Sequence, residues 1–144
     1  MSHAMSVLLV DDDPHSQAVF ELVMRHFELP FNILGDAETA LNYLQTNTPD
    51  VILMDINLPG ISGIEAMKIL HADSATAHIP IVALSANAIP RDIEKGLEAG
   101  FFRYLTKPIK VNEFTETLNV AFEFAESGVD RKGVRGSLPV VLAP

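Results

Sequence analysis

The sequence predicts an α/β domain built on a doubly wound, five-stranded parallel sheet in the order 2-1-3-4-5, with helices on both faces. Two observations predict this fold. Short apolar runs alternate five times with amphipathic stretches along the chain, which is the pattern of repeated βα units. The runs are continuously apolar, and strands of that kind are covered by helices on both faces.

Five apolar runs are the predicted strands of this sheet. They are Val7–Val10, Phe31–Leu34, Val51–Met54, Ile79–Leu84 and Tyr104–Thr106. Parallel strands require right-handed crossover connections, and the order 2-1-3-4-5 is a common solution for a chain of this length. That order has a switch point between the first and third strands, and ligands bind there, outside the carboxyl ends of the strands.

The stretches between the strands carry helix signals. Asp13 before Pro14 predicts the start of the first helix, because Asp caps helices and Pro suits the first helical position. Ser62 and Glu65 form a capping-box pair, and Gly100 predicts the end of the fourth helix. Apolar residues at helical spacing predict the second and fifth helices: Ala37, Ala40, Leu41 and Leu44, and Phe114, Leu118, Ala121, Phe122 and Ala125.

Composition indicates a globular chain with one domain. Its 144 residues are 48% hydrophobic, which suffices for one full core. The absence of Cys excludes disulfides, zinc–thiolate sites and a thiol nucleophile. No apolar run approaches the roughly 20 residues of a membrane helix, and no targeting signal is visible, so we expect a soluble, cytoplasmic protein. We expect residues 1–5 to be an expression remnant, 6–126 the domain and 127–144 a C-terminal tail.

The charge of the chain is strongly acidic and unevenly distributed. The net charge is −9. Three basic residues and one acidic residue give the tail a charge of +2, which leaves −11 for residues 1–126. A body this acidic repels phosphate backbones, so we expect no direct nucleic-acid binding. The same charge suits a basic partner surface or a site that binds cations.

Chemically active side chains follow the carboxyl ends of four predicted strands. They are Asp11, Asp12 and Asp13 after the first strand, Asp55 after the third, Ser85 after the fourth and Lys107 after the fifth. Because these strand ends meet at one edge of a parallel sheet, we expect the side chains to converge. Clustered carboxylates are costly unless a cation joins them, and ligands that are all oxygen suit Mg²⁺.

The formal charges of this cluster suit phosphoryl transfer. Asp11, Asp12 and Asp55 contribute −3, while Lys107 and one Mg²⁺ would contribute +3. Conversion of Asp55 to an acyl phosphate would change that side chain from −1 to about −2. Mg²⁺, Lys107 and the Ser85 hydroxyl could then hold the new oxygens. Positioning and charge neutralisation of this kind are most of what phosphoryl transfer needs.

Four sequence blocks carry a resemblance to a known family. They are Val7–Asp13, Leu53–Gly63 (LMDINLPGISG), Ala83–Ala88 (ALSANA) and Tyr104–Ile109 (YLTKPI). In this order and on this topology the chain resembles the receiver domains of two-component response regulators and hybrid histidine kinases, over roughly residues 6–126. The resemblance implies a phosphorelay function, in which Asp55 accepts a phosphoryl group from a phosphohistidine.

The resemblance also implies roles for the residues around Asp55. Asp11 and Asp12 would hold Mg²⁺, for which Mn²⁺ can substitute, and Asn57 would lend its backbone carbonyl to the metal. Ser85 and Lys107 would sense the phosphoryl group.

Two further features follow from the same resemblance. Tyr104 would be the aromatic side chain that moves with Ser85. The peptide bond between Lys107 and Pro108 would be cis.

The implied partners are a histidine kinase or a histidine phosphotransfer domain. Such a domain is not an enzyme acting on other molecules, although it catalyses its own phosphorylation and dephosphorylation. The sequence leaves open a stand-alone regulator or a piece of a hybrid histidine kinase, and homodimerisation through the face of helix 4, strand 5 and helix 5 or through the tail. Ile89, Ile93 and Leu97 share one face of the fourth helix, which is either core or a partner surface. Phe101–Arg103 departs from the acidic pair expected before Tyr104.

Two other functions fit parts of the sequence. A haloacid-dehalogenase-like phosphatase carries Asp-x-Asp after its first strand, as Asp11 and Asp13 do. That family also needs a cap insertion and a second acidic pair late in the chain, and the sequence has neither. A receiver-like scaffold without phosphorylation is the second alternative, and the intact set of acids argues against it. For Asp13 alone, a helix cap is the favoured interpretation.

Overall fold

The computed structural model describes residues 5–86 and 89–127, in which strands and helices alternate without exception. The strands are β1 (Val7–Val10), β2 (Phe31–Leu34), β3 (Val51–Asp55), β4 (Ile81–Ser85) and β5 (Arg103–Thr106). The helices are α1 (Pro14–His26), α2 (Ala37–Tyr43), α3 (Gly63–Ala72), α4 (Pro90–Ala99) and α5 (Val111–Ser127). Within these residues no helix has both the length and the apolar character needed to cross a membrane.

The five strands form one parallel sheet in the order β2-β1-β3-β4-β5, which confirms the predicted topology. Strand β4 begins at Ile81, two residues after the start of the apolar run that predicted it. Pro80 has no amide hydrogen to donate, and the amide of Ile79 bonds the carbonyl of Thr76 in the preceding turn. Strands β3 and β4 extend instead to Asp55 and Ser85, so that both site residues have sheet backbone.

Each face of the sheet has its own hydrophobic core, as the unbroken apolar runs predicted. One core lies under α1 and α5 and includes Leu9, Leu53 and Phe114. The other lies under α2, α3 and α4 and includes Leu8 and Ile52. All four residues of β1 are at most 1% exposed. Burial of this kind contributes about 25 cal/mol to the stability of the fold for each Å² of apolar surface. Close packing of both cores also makes the sheet a rigid support for the residues at its edges.

The predicted helix signals are present as hydrogen bonds. The Asp13 side chain accepts from the amide of His15 at the start of α1. Ser62 and Glu65 form the reciprocal capping box of α3. Gly100 follows α4 with φ +133°, a backbone conformation that favours glycine.

The pair of phenylalanines before β5 divides between the two cores. Phe101 is 4% exposed and belongs to the core under α3 and α4. Phe102 packs on the opposite core, and its ring centroid lies 5.1 Å from that of Phe124 on α5. The departure from the expected acidic pair therefore adds apolar packing at the start of β5. An acidic pair at these positions would not contribute that packing, because charged side chains stay in contact with water.

Helix α4 is the least buried helix that flanks the sheet. Gly96 is its one buried residue, while Ile89 and Leu97 are 50% and 44% exposed. The apolar face of this helix is therefore half exposed, which answers the question that its spacing left open. Residues 1–4 and 128–144, most of the predicted remnant and tail, lie outside the described residues.

Candidate functional site

The candidate site lies at the carboxyl edge of the sheet, beside its topological switch point. Val10 and Met54 are register partners in the paired strands β1 and β3, so Asp11, which follows β1, and Asp55, the last residue of β3, lie side by side. Lys107 follows β5, and its amide donates to the carbonyl of Ser85 at the end of β4, over 2.7 Å. The topology brings together the residues that the sequence predicted to converge.

Lys107 is the electrostatic centre of the site. Its ammonium donates hydrogen bonds to Oδ2 of Asp55 at 3.0 Å and to Oδ1 of Asp11 at 3.2 Å. The second oxygen of Asp11 lies 3.0 Å from the same nitrogen, and Oδ2 of Asp13 lies at 3.6 Å. Asp11 and Asp55 are 0% and 5% exposed, so Lys107 is the cation that compensates two carboxylates removed from water.

Backbone amides hold the two buried carboxylates in fixed orientations. The amide of Asp13 donates to Oδ1 of Asp11, and the amide of Asn57 donates to Oδ1 of Asp55, each over 2.9 Å. Gln17 on α1 donates from Nε2 to the backbone carbonyl of Asp11, over 2.7 Å. These bonds fix the carboxylate geometry in advance, which is what positioning a reactive group requires.

Gly63, the first residue of α3, is needed for the close packing below Asp55. A Cβ atom at this position would lie 2.3 Å from the carbonyl oxygen of Asp55 and 2.7 Å from the Cα of Ile56. Both neighbours are backbone atoms, so no side-chain movement could relieve the overlap. The loop between β3 and α3 therefore closes tightly because residue 63 has no side chain.

The environment shifts the pKa of three groups in the site. Burial raises the pKa of Asp11 from its ordinary value of 3.8 to about 6, against the opposing bonds from the Asp13 amide and Lys107. For Lys107, burial lowers the pKa, but the hydrogen bonds to Asp11 and Asp55 outweigh it and the net shift is upward. For Asp13, burial is likewise outweighed by bonds from Ser16, His15 and Lys107, and the pKa is lowered.

The raised pKa of Asp11 makes stability depend on pH in the absence of metal. Between about pH 4 and pH 6 the folded state retains a proton that the unfolded state has released, so the free energy of unfolding falls as pH rises through that window. The expected loss is on the order of 2–3 kcal/mol. Urea unfolding in EDTA measures it, and Asp11→Asn should remove most of the slope. An unchanged slope in that variant would assign the titration to another group.

Three carboxylates of the site fit a hard cation. Oxygen atoms of Asp11, Asp12 and Asp55 lie within 4.8 Å of one another. The Oδ2 atom of Asp11 is buried and accepts no hydrogen bond from the described residues, despite its proximity to Lys107. Asp12 is exposed, which gives the cluster an open side toward solvent. A buried carboxylate oxygen that accepts no hydrogen bond, in a cluster whose ligands are all oxygen, suits Mg²⁺. This ion keeps several waters and uses one or two carboxylates.

Mg²⁺ is expected to stabilise the folded chain. An ion that binds only the folded state raises the melting temperature, by roughly 5–15 °C at a hundredfold excess over its Kd. Differential scanning fluorimetry with and without Mg²⁺ measures the shift. Asp12→Asn should abolish the shift, because it removes the carboxylate that faces the open side of the cluster, and an undiminished Mg²⁺ response in that variant would contradict the site.

The other predicted residues lie next to this cluster. Ser85 is 0% exposed at the end of β4. Asn57 follows Asp55 in the loop to α3, and the peptide bond between Lys107 and Pro108 is cis. A cavity of about 390 Å³ opens between α3 and α4, and its walls include Asn57, Ser85 and Tyr104. The hydroxyl oxygen of Tyr104 is buried and has no hydrogen-bond partner among the described residues.

Sequence reasoning missed or underestimated three residues of the site. Asp13 is the helix cap that the sequence favoured, but the same carboxylate also lies near Lys107. Gln17 carries no motif, although its position one turn into α1 brings its amide back to Asp11. Gly63 follows the capping serine of α3, and a glycine at the first helical position is the signal that could have indicated close backbone packing.

Comparison with known proteins identifies the same family that the four sequence blocks resemble. The family model for the response regulator receiver domain matches residues 7–119. The chain is 37% identical over 107 residues to the DNA-binding response regulator MtrA of Mycolicibacterium smegmatis, covering 74% of this chain and 46% of MtrA. It is 34% identical over 113 residues to the polar-differentiation response regulator DivK of Brucella anthropi, covering 78% of this chain and 92% of DivK. The chain thus spans about half the length of MtrA and most of the length of DivK.

Solved structures share the fold. The receiver domain of the sensor histidine kinase PA1611 of Pseudomonas aeruginosa, which has a magnesium ion coordinated in its active site cleft, superposes with a TM-score of 0.73 at 34% identity. That match covers 81% of this chain and 95% of the other. The chemotaxis response regulator CheY4 of Vibrio cholerae gives a TM-score of 0.75 at 26% identity, over 81% and 97% of the two chains.

The family match bears on the first of the two alternatives that the sequence left open, the phosphatase. It covers all five strands and most of α5, and it favours the receiver domain over the phosphatase alternative. Receiver domains are phospho-acceptor switches that interact with histidine kinases or phosphotransfer partners. With its sheet order, its acidic site and the match over residues 7–119, the chain belongs to the response regulator receiver domain family, whose members act in phosphorelay signal transduction.

Proposed function

We propose that Asp55 accepts the phosphoryl group, with Mg²⁺ held by Asp11, Asp12 and Asp55. The observation that carries this proposal is the arrangement around Asp55. One carboxylate oxygen accepts from the Asn57 amide at 2.9 Å and the other from Lys107 at 3.0 Å. Both oxygens are therefore oriented, and the residue lies at the switch point, at the edge of the sheet where ligands bind in this fold.

The transfer is a substitution at phosphorus. A carboxylate oxygen of Asp55 forms a bond to phosphorus while the bond from phosphorus to the imidazole nitrogen of a phosphohistidine breaks. The electron pair of the broken bond stays on the imidazole, which can take up a proton. The Lys107 ammonium, which lies 3.0 Å from Asp55, is available to stabilise the negative charge that collects on the phosphoryl oxygens.

The metal would be held by the three carboxylates, with the backbone carbonyl of Asn57 as a further ligand. When bound, Mg²⁺ supplies charge that offsets the phosphoryl oxygens during transfer. Mn²⁺ has the same preference for carboxylate and water oxygens, and we propose that it substitutes. The same constellation would admit a water to the acyl phosphate, so the domain would catalyse its own dephosphorylation as well.

A direct experiment tests the acceptor. The chain is incubated with acetyl phosphate and Mg²⁺, and intact mass followed by peptide mapping measures and locates the added group. We expect one phosphoryl group, on Asp55, and none when EDTA replaces Mg²⁺. A chain that takes up no phosphoryl group in Mg²⁺ would be the receiver-like scaffold, and a group on another residue would refute the assignment.

Phosphorylation should change the conformation of one face of the domain. Ser85 and Lys107 would hold the phosphoryl oxygens, and the movement of Ser85 toward Asp55 would further favour the inward position of Tyr104, in which its hydroxyl is buried in this structure, as a population shift. Amide NMR with and without acetyl phosphate should show changes clustered in residues 85–110. Changes confined to the loop after Asp55 would count against this switch.

The partners follow from the chemistry. We propose a histidine kinase or a histidine phosphotransfer domain as the donor, in the cytoplasm, since kinases draw on the ATP that cells keep there. The relative MtrA is named as DNA-binding, but the chain matches only 46% of it, and the acidic body argues against direct contact with nucleic acid. We also propose two surfaces for a homodimer. One is the face of α4, β5 and α5, with the exposed Ile89 and Leu97, and the other is the C-terminal tail; light scattering would measure the oligomeric state.

A further inference from the structure

The ring of Tyr104 packs against the one buried residue of α4. Gly96 lies in the middle of that helix, and a Cβ atom added to it would be 3.0 Å from Cε2 and 3.2 Å from Cδ2 of the Tyr104 ring. Carbon atoms in good contact lie about 3.5–4.0 Å apart. The tyrosine ring therefore occupies space that a side chain at position 96 would take.

A glycine in the interior of a helix is unfavourable unless something requires it. Compared with alanine it shifts the unfolding equilibrium toward the unfolded state by about fivefold. At Gly96 the backbone is ordinary helix with no positive φ, so the missing side chain rather than an unusual conformation explains the residue. The missing side chain leaves a slot for the ring, which packs against the core that includes Ala83, the register partner of Tyr104 in β4.

We propose that Gly96 is a positioning residue that admits the Tyr104 ring between α4 and β4 and thereby sets the balance between the conformations of this face. The proposal extends the switch described above, and its last step depends on the proposed function. Tyr104 and Gly96 share the wall of the 390 Å³ cavity with Ser85, so a change at Ser85 and a change at Gly96 act on the same ring. A larger residue at position 96 would move the ring toward solvent whether or not Asp55 is phosphorylated.

A double-mutant cycle tests the slot in the unphosphorylated chain. Urea unfolding, followed by circular dichroism, compares Gly96→Ala in the native background and in a Tyr104→Ala background. With the ring removed, alanine should stabilise the helix by about fivefold in the unfolding constant. With the ring present, the same substitution should give no stabilisation. An equal gain in both backgrounds would overturn the proposal, and Tyr104→Leu repeats the cycle if Tyr104→Ala does not fold.

A matched pair of variants measures how much the exchange of glycine for alanine stabilises α4 when no ring is nearby. Glu94 is exposed on the same helix and lies outside the cavity wall, so Glu94→Ala and Glu94→Gly differ only in helix propensity. The ratio of their unfolding constants gives the gain expected at Gly96 without a ring. If Gly96→Ala in the native background reaches that ratio, there is no slot.

The position of the ring can be followed directly because the chain has two tyrosines and no tryptophan. The hydroxyl of the other tyrosine, Tyr43, accepts one exposed hydrogen bond, from Asn32, so Tyr43→Phe leaves Tyr104 as the sole fluorophore at little structural cost. In that background Gly96→Ala should increase the quenching of tyrosine fluorescence by iodide at least about twofold. Unchanged quenching would mean that Gly96 does not control the ring.

The link to phosphorylation is a separate measurement. Native and Gly96→Ala chains are treated with acetyl phosphate and Mg²⁺, and amide NMR follows residues 89–106. Both should be phosphorylated, but the shifts in α4 and β5 should fall by at least about half in the variant. Equal shifts in both chains would overturn the link. If the native chain takes up no phosphoryl group, the proposed function fails, whereas the slot is still judged by the cycle on the unphosphorylated protein.

Discussion

Asp55→Asn should abolish the uptake of a phosphoryl group from acetyl phosphate. The amide oxygen of asparagine is a poor nucleophile and forms no stable phosphoryl product, so the reaction has no route at this position. The fold should persist, because asparagine has the size of aspartate and can accept the same bond from the Asn57 amide. Intact mass after incubation with Mg²⁺ measures the effect, and we expect no added group above the control without donor.

Asp13→Asn is the matched control for that experiment. Asp13 lies in the same acidic cluster, 3.6 Å from Lys107, and asparagine caps a helix about as well as aspartate. The control should retain phosphorylation on Asp55. If Asp13→Asn lost uptake and Asp55→Asn kept it, the acceptor would have been assigned to the wrong carboxylate.

Lys107→Ala should have the largest effect on stability. It leaves Asp11 and Asp55 buried without their cation, and breaking a buried ion pair from one side costs several kcal/mol. Because the lysine side chain is 15% exposed, we expect a loss of about 2–3 kcal/mol at pH 8 in EDTA. The loss should be smaller near pH 5, where the raised pKa of Asp11 allows protonation to neutralise that carboxylate.

The same variant separates acceptance from response. Lys107→Ala retains Asp55, so it should still take up a phosphoryl group, while the NMR changes in residues 85–110 should be lost. Lys110→Ala is the control, since that lysine is exposed three residues further along the same loop and forms no ion pair with the carboxylates in the described part of the chain. Equal stability of the two variants at pH 8 would show that Lys107 does not compensate the acids.

The sheet and its site could be predicted from the sequence because both depend on local patterns. Continuous apolar runs such as Val7–Val10 indicate strands buried on both faces. Residues that follow those runs meet at one edge whatever the details of the helices. Asp11, Asp55 and Lys107 are far apart in the chain, yet their contact follows from the strand order alone.

Other features depend on tertiary packing, which a single sequence does not specify. Phe101 and Phe102 are adjacent, and which core each one enters depends on where β5 begins. The exposure of Leu97 depends on how closely α4 approaches the sheet. The contacts of Gly63 and Gly96 are made by residues that have no side chain to form a pattern, so their importance is visible only in three dimensions.

The shallow attachment of α4 separates the mechanical properties of the domain into two parts. Because this helix buries a single residue, its amide hydrogens can exchange with solvent through local opening, while those of β1 and β3 exchange only when the whole domain unfolds. A helix can loosen or shift at small energetic cost when few apolar contacts are lost. The sheet can therefore keep the carboxylates in register through every cycle of signalling, while the face that other proteins would detect rearranges on a much shorter timescale than global unfolding.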